Sequence, residues 1–244
     1  GYAWADARWM YDTARELGFP FMAGSSLSVQ PVSWRKPALE FPLGTRLDGA
    51  LTLGYGPIER YGFHALEILQ CMVERRTSGE TGVAAVQFVG GEAMWEGGKA
   101  GLWDTALLDA TIAGLDTPPA GDVRALAKEP VVFVVEYRDG LRAYVVMLNG
   151  AVTDLAFAAR AALPGAAESA VVATHFGHHS QEPFGHFAYL AERIQDMICT
   201  GREPQPVERT LLTTGILDRI MESRWRGGVR LETPELAVCY RPAG

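Results

Sequence analysis

Residues 55–71, YGPIERYGFHALEILQC, join a strand-like segment to a helix-like segment. In residues 46–55, apolar side chains alternate with polar or small ones, which is typical of a half-buried β-strand. Gly56-Pro57 ends that strand, and residues 61–75 then place apolar side chains at threefold spacing, which predicts an amphipathic helix. A strand that leads directly into a helix indicates a fold containing both, and active sites often lie at such junctions.

Side chains capable of acid–base or hydrogen-bonding chemistry cluster at this junction: Glu59, Arg60, His64 and Glu67. On a helix, His64 and Glu67 are i and i+3 and therefore share a face. Glu67 could then orient the His64 ring and raise its pKa, as in a general acid–base pair. The alternative is a partly buried helix histidine beside a surface ion-pair partner, and the spacing alone favours this structural role.

The composition is that of an ordinary globular protein. The chain has 244 residues, of which 48% are hydrophobic and 21% charged, so it can bury a substantial core. Lys and Arg total 22 and Asp and Glu total 29, which gives a formal net charge of -7. This balance argues against binding to nucleic acids or anionic membranes. We expect no signal peptide, and no apolar run reaches the ~18 residues that a membrane span requires.

The cysteines, Cys71, Cys199 and Cys239, are far apart and lie among apolar neighbours. This arrangement predicts buried, reduced thiols in a cytoplasmic protein rather than disulfides or metal ligands.

The opening 26 residues are expected to form a helix and a short strand. The helix spans Trp4–Leu17, with apolar side chains on one face and Gly18 as its C-terminal stop. Residues 19–23, FPFMA, are then predicted to form a short apolar strand. Because a helix-like segment begins almost at Gly1, we expect further protein upstream of this chain.

Several strands follow one another without intervening helices in the second half of the chain. Residues 131–137 and 141–148 form a predicted hairpin around Asp139-Gly140, a pair that favours the positive φ angles of the turn. Further strands are predicted at residues 82–89, 151–159, 169–175 and 236–240, and helices at 102–113, 187–199 and 207–224. The pattern predicts one α+β domain over residues 1–244, with an open, largely antiparallel sheet and helices on one face.

Two clusters outside the junction could bind ligands. Trp34, Arg35 and Lys36 are adjacent, and they combine a stacking face with cations suited to a carboxylate or phosphate. They could equally form a solvated basic loop with one packed Trp.

The second cluster contains most of the histidines, in THFGHHSQEPFGHF: His175, His178, His179 and His186, with Glu182 nearby. Metal binding is one interpretation, but the spacing follows no known metal motif, and glycines and a proline indicate a loop. Substrate contact by His178, His179 or His186 is the better interpretation, because imidazole can donate to or accept from a hydroxyl. We therefore predict no metal site.

Motifs of nucleophilic hydrolysis and nucleotide binding are absent from the sequence. No serine lies in GxSxG, no GxxxxGK[ST] loop occurs, and no GxGxxG opens a helix. We therefore expect this chain alone to bind no nucleotide cofactor.

The C-terminal region carries a more specific pattern. A predicted helix leads into a TG-x-x-P-x-P step and a second helix that ends near Ser223, before a final strand; the step comprises Thr200, Gly201, Pro204 and Pro206. This order closely resembles the C-terminal end of the glucose–fructose oxidoreductase / inositol dehydrogenase (Gfo/Idh/MocA) family.

Two other segments resemble the same family. The opening segment is similar to the helix and strand after its Glu-Lys-Pro motif, and GFHALEILQ is similar to its H-x-x-D helix, with His64 at the His position and Glu67 replacing Asp. Family members join an N-terminal Rossmann domain that binds NAD(P) to a C-terminal domain with a large open sheet, which often serves oligomerisation. Their active site lies between the domains and uses the Lys of Glu-Lys-Pro, a His and often an Asp.

This chain departs from the family pattern in two ways. The Rossmann domain and the Glu-Lys-Pro lysine are absent, and we expect them just upstream of Gly1. The acidic residue that often lies four positions before the His is Arg60 here, with Glu59 adjacent. The first departure implies that this chain alone transfers no hydride, and the second puts ordinary alcohol oxidation in question.

The resemblance implies the substrate-binding and oligomerising part of an NAD(P)-dependent oxidoreductase that acts on a sugar or polyol, assembled as a homodimer or homotetramer through the sheet. In this interpretation His64 handles the hydroxyl proton and Glu67 orients it. The expected substrate-binding residues are Trp34, Arg35, Lys36, Arg60, His178, His179 and His186. The alternatives are a non-redox binding or oligomerisation module, and a metal-assisted lyase or isomerase that uses the 175–186 histidines.

Overall fold

An eight-stranded sheet organises the computed structural model, which describes residues 3–163, 165–179 and 181–242. The strands are β1 Arg35–Lys36, β2 Arg46–Gly54, β3 Val83–Gly90, β4 Val131–Tyr137, β5 Arg142–Met147, β6 Leu155–Ala162, β7 Ala170–Phe176 and β8 Leu231–Glu232. Their order in the sheet is β1-β7-β6-β2-β5-β4-β3-β8. Strand β2 pairs in parallel with β5, and the other pairs between these strands are antiparallel. The prediction of an α+β fold with an open, largely antiparallel sheet is therefore confirmed.

The helices of the described residues range from single turns to five turns. They are α1 Trp4–Leu17, α2 Ser26–Val29, α3 Ile58–Val73, α4 Glu92–Lys99, α5 Thr105–Ala113, α6 Val123–Leu126, α7 Gly185–Thr200 and α8 Glu208–Trp225, with 3-10 turns at Val32–Trp34 and Pro234–Leu236. In this part of the chain, no helix combines the length and apolar character needed to cross a membrane.

Helices cover both faces of the sheet rather than one, which corrects that detail of the prediction. The long helices α3 and α8 pack on the face that carries Phe133 and Val135. On the opposite face, α4 and α5 pack with Trp103 against Leu51 and Val132. Consecutive residues of β2 and β4 are therefore buried alternately in two cores, as the continuous apolar run VVFVV of β4 indicates. The prediction of a half-buried strand therefore holds only for the first three residues of β2, and its last six residues are all buried.

Local turn chemistry set several element boundaries as predicted. Helix α1 spans the expected residues and ends at Gly18, whose φ is 69°. The β4–β5 hairpin turns at Gly140 with φ of 92°, whereas Asp139 does not share the positive φ predicted for the pair. Both glycines need the left-handed conformation, which glycine adopts without steric cost.

Two predicted strands are wrong. Residues 19–23 form no ladder, because side chains bond their backbone: Phe21 N–H donates to Glu203 (2.9 Å), and the Ala23 carbonyl accepts from Gln205 and Thr210 (both 3.1 Å). Residues 236–240 begin at the last residue of a 3-10 turn and contribute only an isolated bridge at Tyr240, while the edge strand is β8 instead.

The prediction of three buried thiols holds for Cys71 alone. Its thiol donates to the Ile68 carbonyl (3.2 Å), and burial raises its pKa to about 11. Cys199 and Cys239 are free and exposed, because α7 keeps little of its surface buried and the C-terminal segment lies outside the sheet. Apolar neighbours in sequence did not indicate burial here.

Candidate active site

His64 lies in the second turn of α3, and its ring is held in one orientation. Its Nδ1 is 2.8 Å from Oγ of Ser25, and the rings of Tyr61 and Phe63 contact it edge-on at centroid distances of 6.0 and 5.8 Å. Burial lowers the pKa of His64 below its ordinary 6.5, and the nearby Arg60 guanidinium lowers it further. The ring is therefore neutral at pH 7 and able to accept a proton.

Ser25, which the sequence analysis did not identify, connects the loop before α2 to the site. It is the N-cap of α2, and its Oγ accepts a hydrogen bond from the Leu27 amide (3.1 Å). Gly24 precedes it with φ of 126°, and a Cβ there would lie 2.6 Å from Oε2 of Glu67. A serine that follows a glycine and precedes a short helix is the N-cap signal that could have identified Ser25.

Glu67 is completely buried and acts on His64 through Ser25 rather than directly. Its Oε2 accepts hydrogen bonds from Ser25 N–H (3.2 Å) and Ser28 Oγ (2.9 Å), and its Oε1 accepts one from Thr213 Oγ1 (2.6 Å). A carboxylate with three donors fixes the backbone of Ser25, which in turn contacts the His64 ring. The alternative of a surface ion-pair partner does not apply to Glu67.

A cavity of about 200 Å³ opens beside His64. Arg60, His178 and His186 line it with Tyr55 and Tyr61, so the structure brings these three predicted residues together with His64. The His178 and His186 rings lie 4.5 Å apart.

Several side chains that line this cavity are uncharged and can form hydrogen bonds. Burial lowers the pKa of His178, and neighbouring His186 adds to the shift, whereas burial raises the pKa of the Tyr55 hydroxyl. His186 is buried, and its Nδ1 is 3.1 Å from the His179 carbonyl oxygen. Neutral imidazoles and phenols beside one guanidinium suit a neutral ligand rich in hydroxyl groups.

The remaining predicted residues lie elsewhere and apart from one another. Trp34 stacks on His179 with centroids 4.1 Å apart, and neither lines the cavity. Lys36 forms an exposed ion pair with Asp116 (2.6 Å). Arg35 is buried and faces a different cavity, because consecutive residues of a strand point to opposite sides. Adjacency in sequence therefore did not bring Trp34, Arg35 and Lys36 to one ligand.

A metal ion finds no ready set of ligands. Within residues 3–163, 165–179 and 181–242, no group of three or more His, Cys, Asp or Glu side chains is arranged to hold one. His175 lies on β7 between Asp116 (3.5 Å) and Asp154 (3.7 Å), outside the cavity that His178 and His186 line.

A dinucleotide cofactor does not fit the strand–helix junctions of the described residues. At the β2–α3 junction, Gly56 N–H already donates to Asn149 (2.7 Å), the Tyr61 ring fills the space that a Cβ on Gly56 would enter, and Glu59 lies in the first turn. At the β3–α4 junction, the first turn carries Glu92. A pyrophosphate needs free amides and no carboxylate at such a helix start.

Comparison with known proteins gives the fold. No family model matches the sequence, and no curated protein matches it. Among solved structures, a protein assigned as a myo-inositol dehydrogenase from Sinorhizobium meliloti 1021 is similar, with a TM-score of 0.56 and 12% sequence identity. The match covers 95% of this chain and 70% of the dehydrogenase chain. GenD2 from gentamicin A biosynthesis, solved in complex with NAD, matches 95% of this chain and 68% of its own, with a TM-score of 0.53 and 15% identity. The chain therefore has a fold found in Gfo/Idh/MocA-type dehydrogenases, as the sequence resemblance implied.

Proposed function

We propose that this chain forms the substrate-binding part of an oxidoreductase that acts on a sugar or polyol with NAD(P) as coenzyme. The observation that carries the proposal is the neutral, fixed imidazole of His64 beside a cavity lined by hydrogen-bonding side chains. The fold, which is found in dehydrogenases, supports the reaction class.

His64 acts as the base for a substrate hydroxyl in this proposal. Because its pKa is lowered, the ring is uncharged at pH 7 and can accept a proton from an alcohol. When Nδ1–H donates to Ser25 Oγ, Nε2 is unprotonated and free to take that proton. Glu67 contributes by holding Ser25, so we assign it a positioning role rather than a catalytic one.

The other lining residues bind and orient the substrate. Arg60 donates through a permanent cation, and His178 and His186 donate or accept according to their tautomers. The Tyr55 hydroxyl remains protonated because its pKa is raised, so it is a donor as well. A cavity volume of about 200 Å³ suits one monosaccharide ring or a small cyclic polyol.

The coenzyme would supply hydride acceptance. Nothing in the junctions at Gly56 and Gly91 matches a pyrophosphate cradle. This mismatch also favours the second candidate, a ligand-binding module without redox chemistry. The two candidates share the His64 cavity and differ only in turnover.

Substrate binding is tested with the chain itself. We expect aldoses or cyclic polyols, with glucose and myo-inositol as the first probes, to shift the His64 ring resonances in NMR titrations. Tyr55→Phe should weaken binding, while His175→Asn, a change at a histidine outside the cavity, should leave it unchanged. A panel in which no sugar or polyol binds would refute the proposal.

Turnover is tested in the longest product that the gene encodes. His64→Ala should abolish NAD(P)+ reduction while the circular dichroism spectrum stays unchanged, and His175→Asn should retain it. Retained turnover in His64→Ala contradicts the catalytic role of His64. Binding without any turnover in the unmodified protein selects the non-redox candidate.

Homo-oligomerisation through the sheet remains a prediction. Because α4 and α5 cover part of the second sheet face, only the uncovered strands offer a surface for it. Light scattering after size-exclusion chromatography gives the mass, and a monomeric mass at micromolar concentration contradicts the prediction.

A further inference from the structure

A second cavity, of about 210 Å³, lies on the other side of α2 from the His64 cavity. Ser26 and Leu27 of α2 face the His64 cavity, whereas Ser28 and Val29 face this one. We name it the arginine cavity, because four of its lining residues are arginines and two are glutamates: Arg35, Arg75, Arg193, Arg209, Glu40 and Glu74. Cations outnumber carboxylates around this space.

Part of this charge is balanced within the protein. Arg209 and Glu74 form a buried ion pair in which Nε lies 2.9 Å from Oε2. Arg193 pairs with Asp196 (2.6 Å). These contacts account for two of the arginines without involving Arg35.

Arg35 is a buried cation without a carboxylate partner among the described residues. The residue is 6% exposed, and no carboxylate oxygen of that part of the chain lies within 4.0 Å of its guanidinium. Instead, Nη1 donates to the Leu39 carbonyl (2.8 Å) and approaches Met72 Sδ (3.3 Å), and the group lies 4.8 Å from the centre of the Phe176 ring. A buried guanidinium with only neutral contacts carries a large desolvation penalty that an anion would offset.

Some of the residues that line this cavity have buried polar atoms without hydrogen-bond partners among the described residues. Gln30 is 4% exposed, and neither its amide nitrogen nor its amide oxygen has a hydrogen-bond partner among the described residues. The same holds for Nε of Arg35 and Nε of Arg193. Buried polar atoms are almost always bonded in folded proteins, so three donors without protein partners at one cavity indicate a ligand that accepts hydrogen bonds.

We propose that the arginine cavity binds a small oxyanion, a carboxylate or a phosphate. The Arg35 guanidinium supplies the charge and a planar donor pair, and Gln30 adds a neutral donor. The volume admits an anion the size of inorganic phosphate or a short carboxylic acid and excludes a buried nucleotide. This site is independent of the His64 cavity and of the proposed function.

Calorimetric titrations with inorganic phosphate and with acetate, at constant ionic strength in chloride, test the proposal and distinguish the two anion chemistries. We expect saturable binding of at least one of them. Arg35→Met should weaken it by about tenfold or more, which is the expected loss for hydrogen bonds to a charged group. Arg46→Met, at an exposed arginine on β2, and His64→Ala should both leave it unchanged.

Gln30→Leu provides a test that does not depend on the folding of Arg35→Met. Because the Gln30 amide has no hydrogen-bond partner in the described part of the chain, its replacement should leave the melting temperature of the ligand-free protein unchanged or higher, while it weakens oxyanion binding several-fold. A purely structural Gln30 would instead lower the melting temperature and leave binding intact. Absence of saturable binding by both anions, or unchanged affinity in Gln30→Leu, overturns the proposal.

Discussion

Replacing Glu67 by Gln or by Leu separates its hydrogen-bonding role from its charge. In Glu67→Gln, the amide oxygen can keep the bonds from Ser25 N–H and Ser28, while the amide nitrogen donates to Thr213 Oγ1. The Thr213 hydroxyl can then donate to the Thr210 carbonyl, already 3.1 Å away. Every group stays bonded, so we expect a loss of about 1 kcal/mol or less.

Glu67→Leu leaves one donor without an acceptor. Ser28 and Thr213 each retain a backbone carbonyl, at 2.9 and 3.1 Å. Ser25 N–H, in a buried position, loses its one acceptor among the described residues. An orphaned buried N–H costs about 1–3 kcal/mol, and because Ser25 also contacts His64, the ring should lose its fixed orientation.

Two measurements test this reasoning about Glu67. Urea unfolding followed by circular dichroism gives the free energy of unfolding of each variant. Amide hydrogen exchange at Ser25 reports the bond itself: we expect protection in the unmodified chain and in Glu67→Gln, and fast exchange in Glu67→Leu. Equal destabilisation by Gln and Leu, or an unchanged Ser25 exchange rate in Glu67→Leu, would refute the reasoning.

Three further predictions concern burial and charge. Gly24→Ala should destabilise the fold by about 2–4 kcal/mol in chemical denaturation, because its φ is 126° and its Cβ would overlap Glu67; unchanged stability contradicts this. Arg209→Met should lower the free energy of unfolding by about 3–5 kcal/mol, because it leaves the Glu74 carboxylate buried without its ion-pair partner. In a double-mutant cycle, adding Glu74→Gln should restore part of that stability, and additive losses would exclude the coupling. The pKa of His64 is lowered in the folded state, so its neutral form contributes stability that is complete above pH 6.5 and is lost as pH falls through the lowered pKa. His64→Asn should therefore show a shallower decline of melting temperature in acid than the unmodified chain. An identical decline argues against the lowered pKa.

Elements with local signals were predictable from the sequence. The threefold spacing of Leu66, Leu69 and Met72 predicted α3, and Asp139-Gly140 predicted the β4–β5 turn. His64 was predicted from a helix that resembles the family's H-x-x-D helix, and it lies beside a cavity; its catalytic role stays a prediction.

Contacts that depend on distant residues were not predictable. Ser25 and Glu67 are 42 positions apart, so no local pattern reveals that the carboxylate bonds the serine amide. Arg35 and Lys36 diverge because consecutive side chains of a strand point to opposite sides, and that strand depends on pairing with β7. Trp34 belongs to the preceding 3-10 turn. The segment 19–23 is apolar enough for a strand, but side chains from elsewhere occupy its backbone groups. In each case tertiary structure decides what local preference leaves open.

The central position of β2 has a consequence for folding. Strand β2 lies between β5 and β6, and its partners are distant in sequence: Ala50 pairs with Ala143, and Leu51 with Ala158. The β4–β5 hairpin and the β6–β7 pair join strands that are close in sequence and can form early. Strand β2 can pair only after long chain segments have been brought together, which costs loop-closure entropy. Until then its apolar edges are exposed, so refolding at high concentration should favour intermolecular association through residues 46–54.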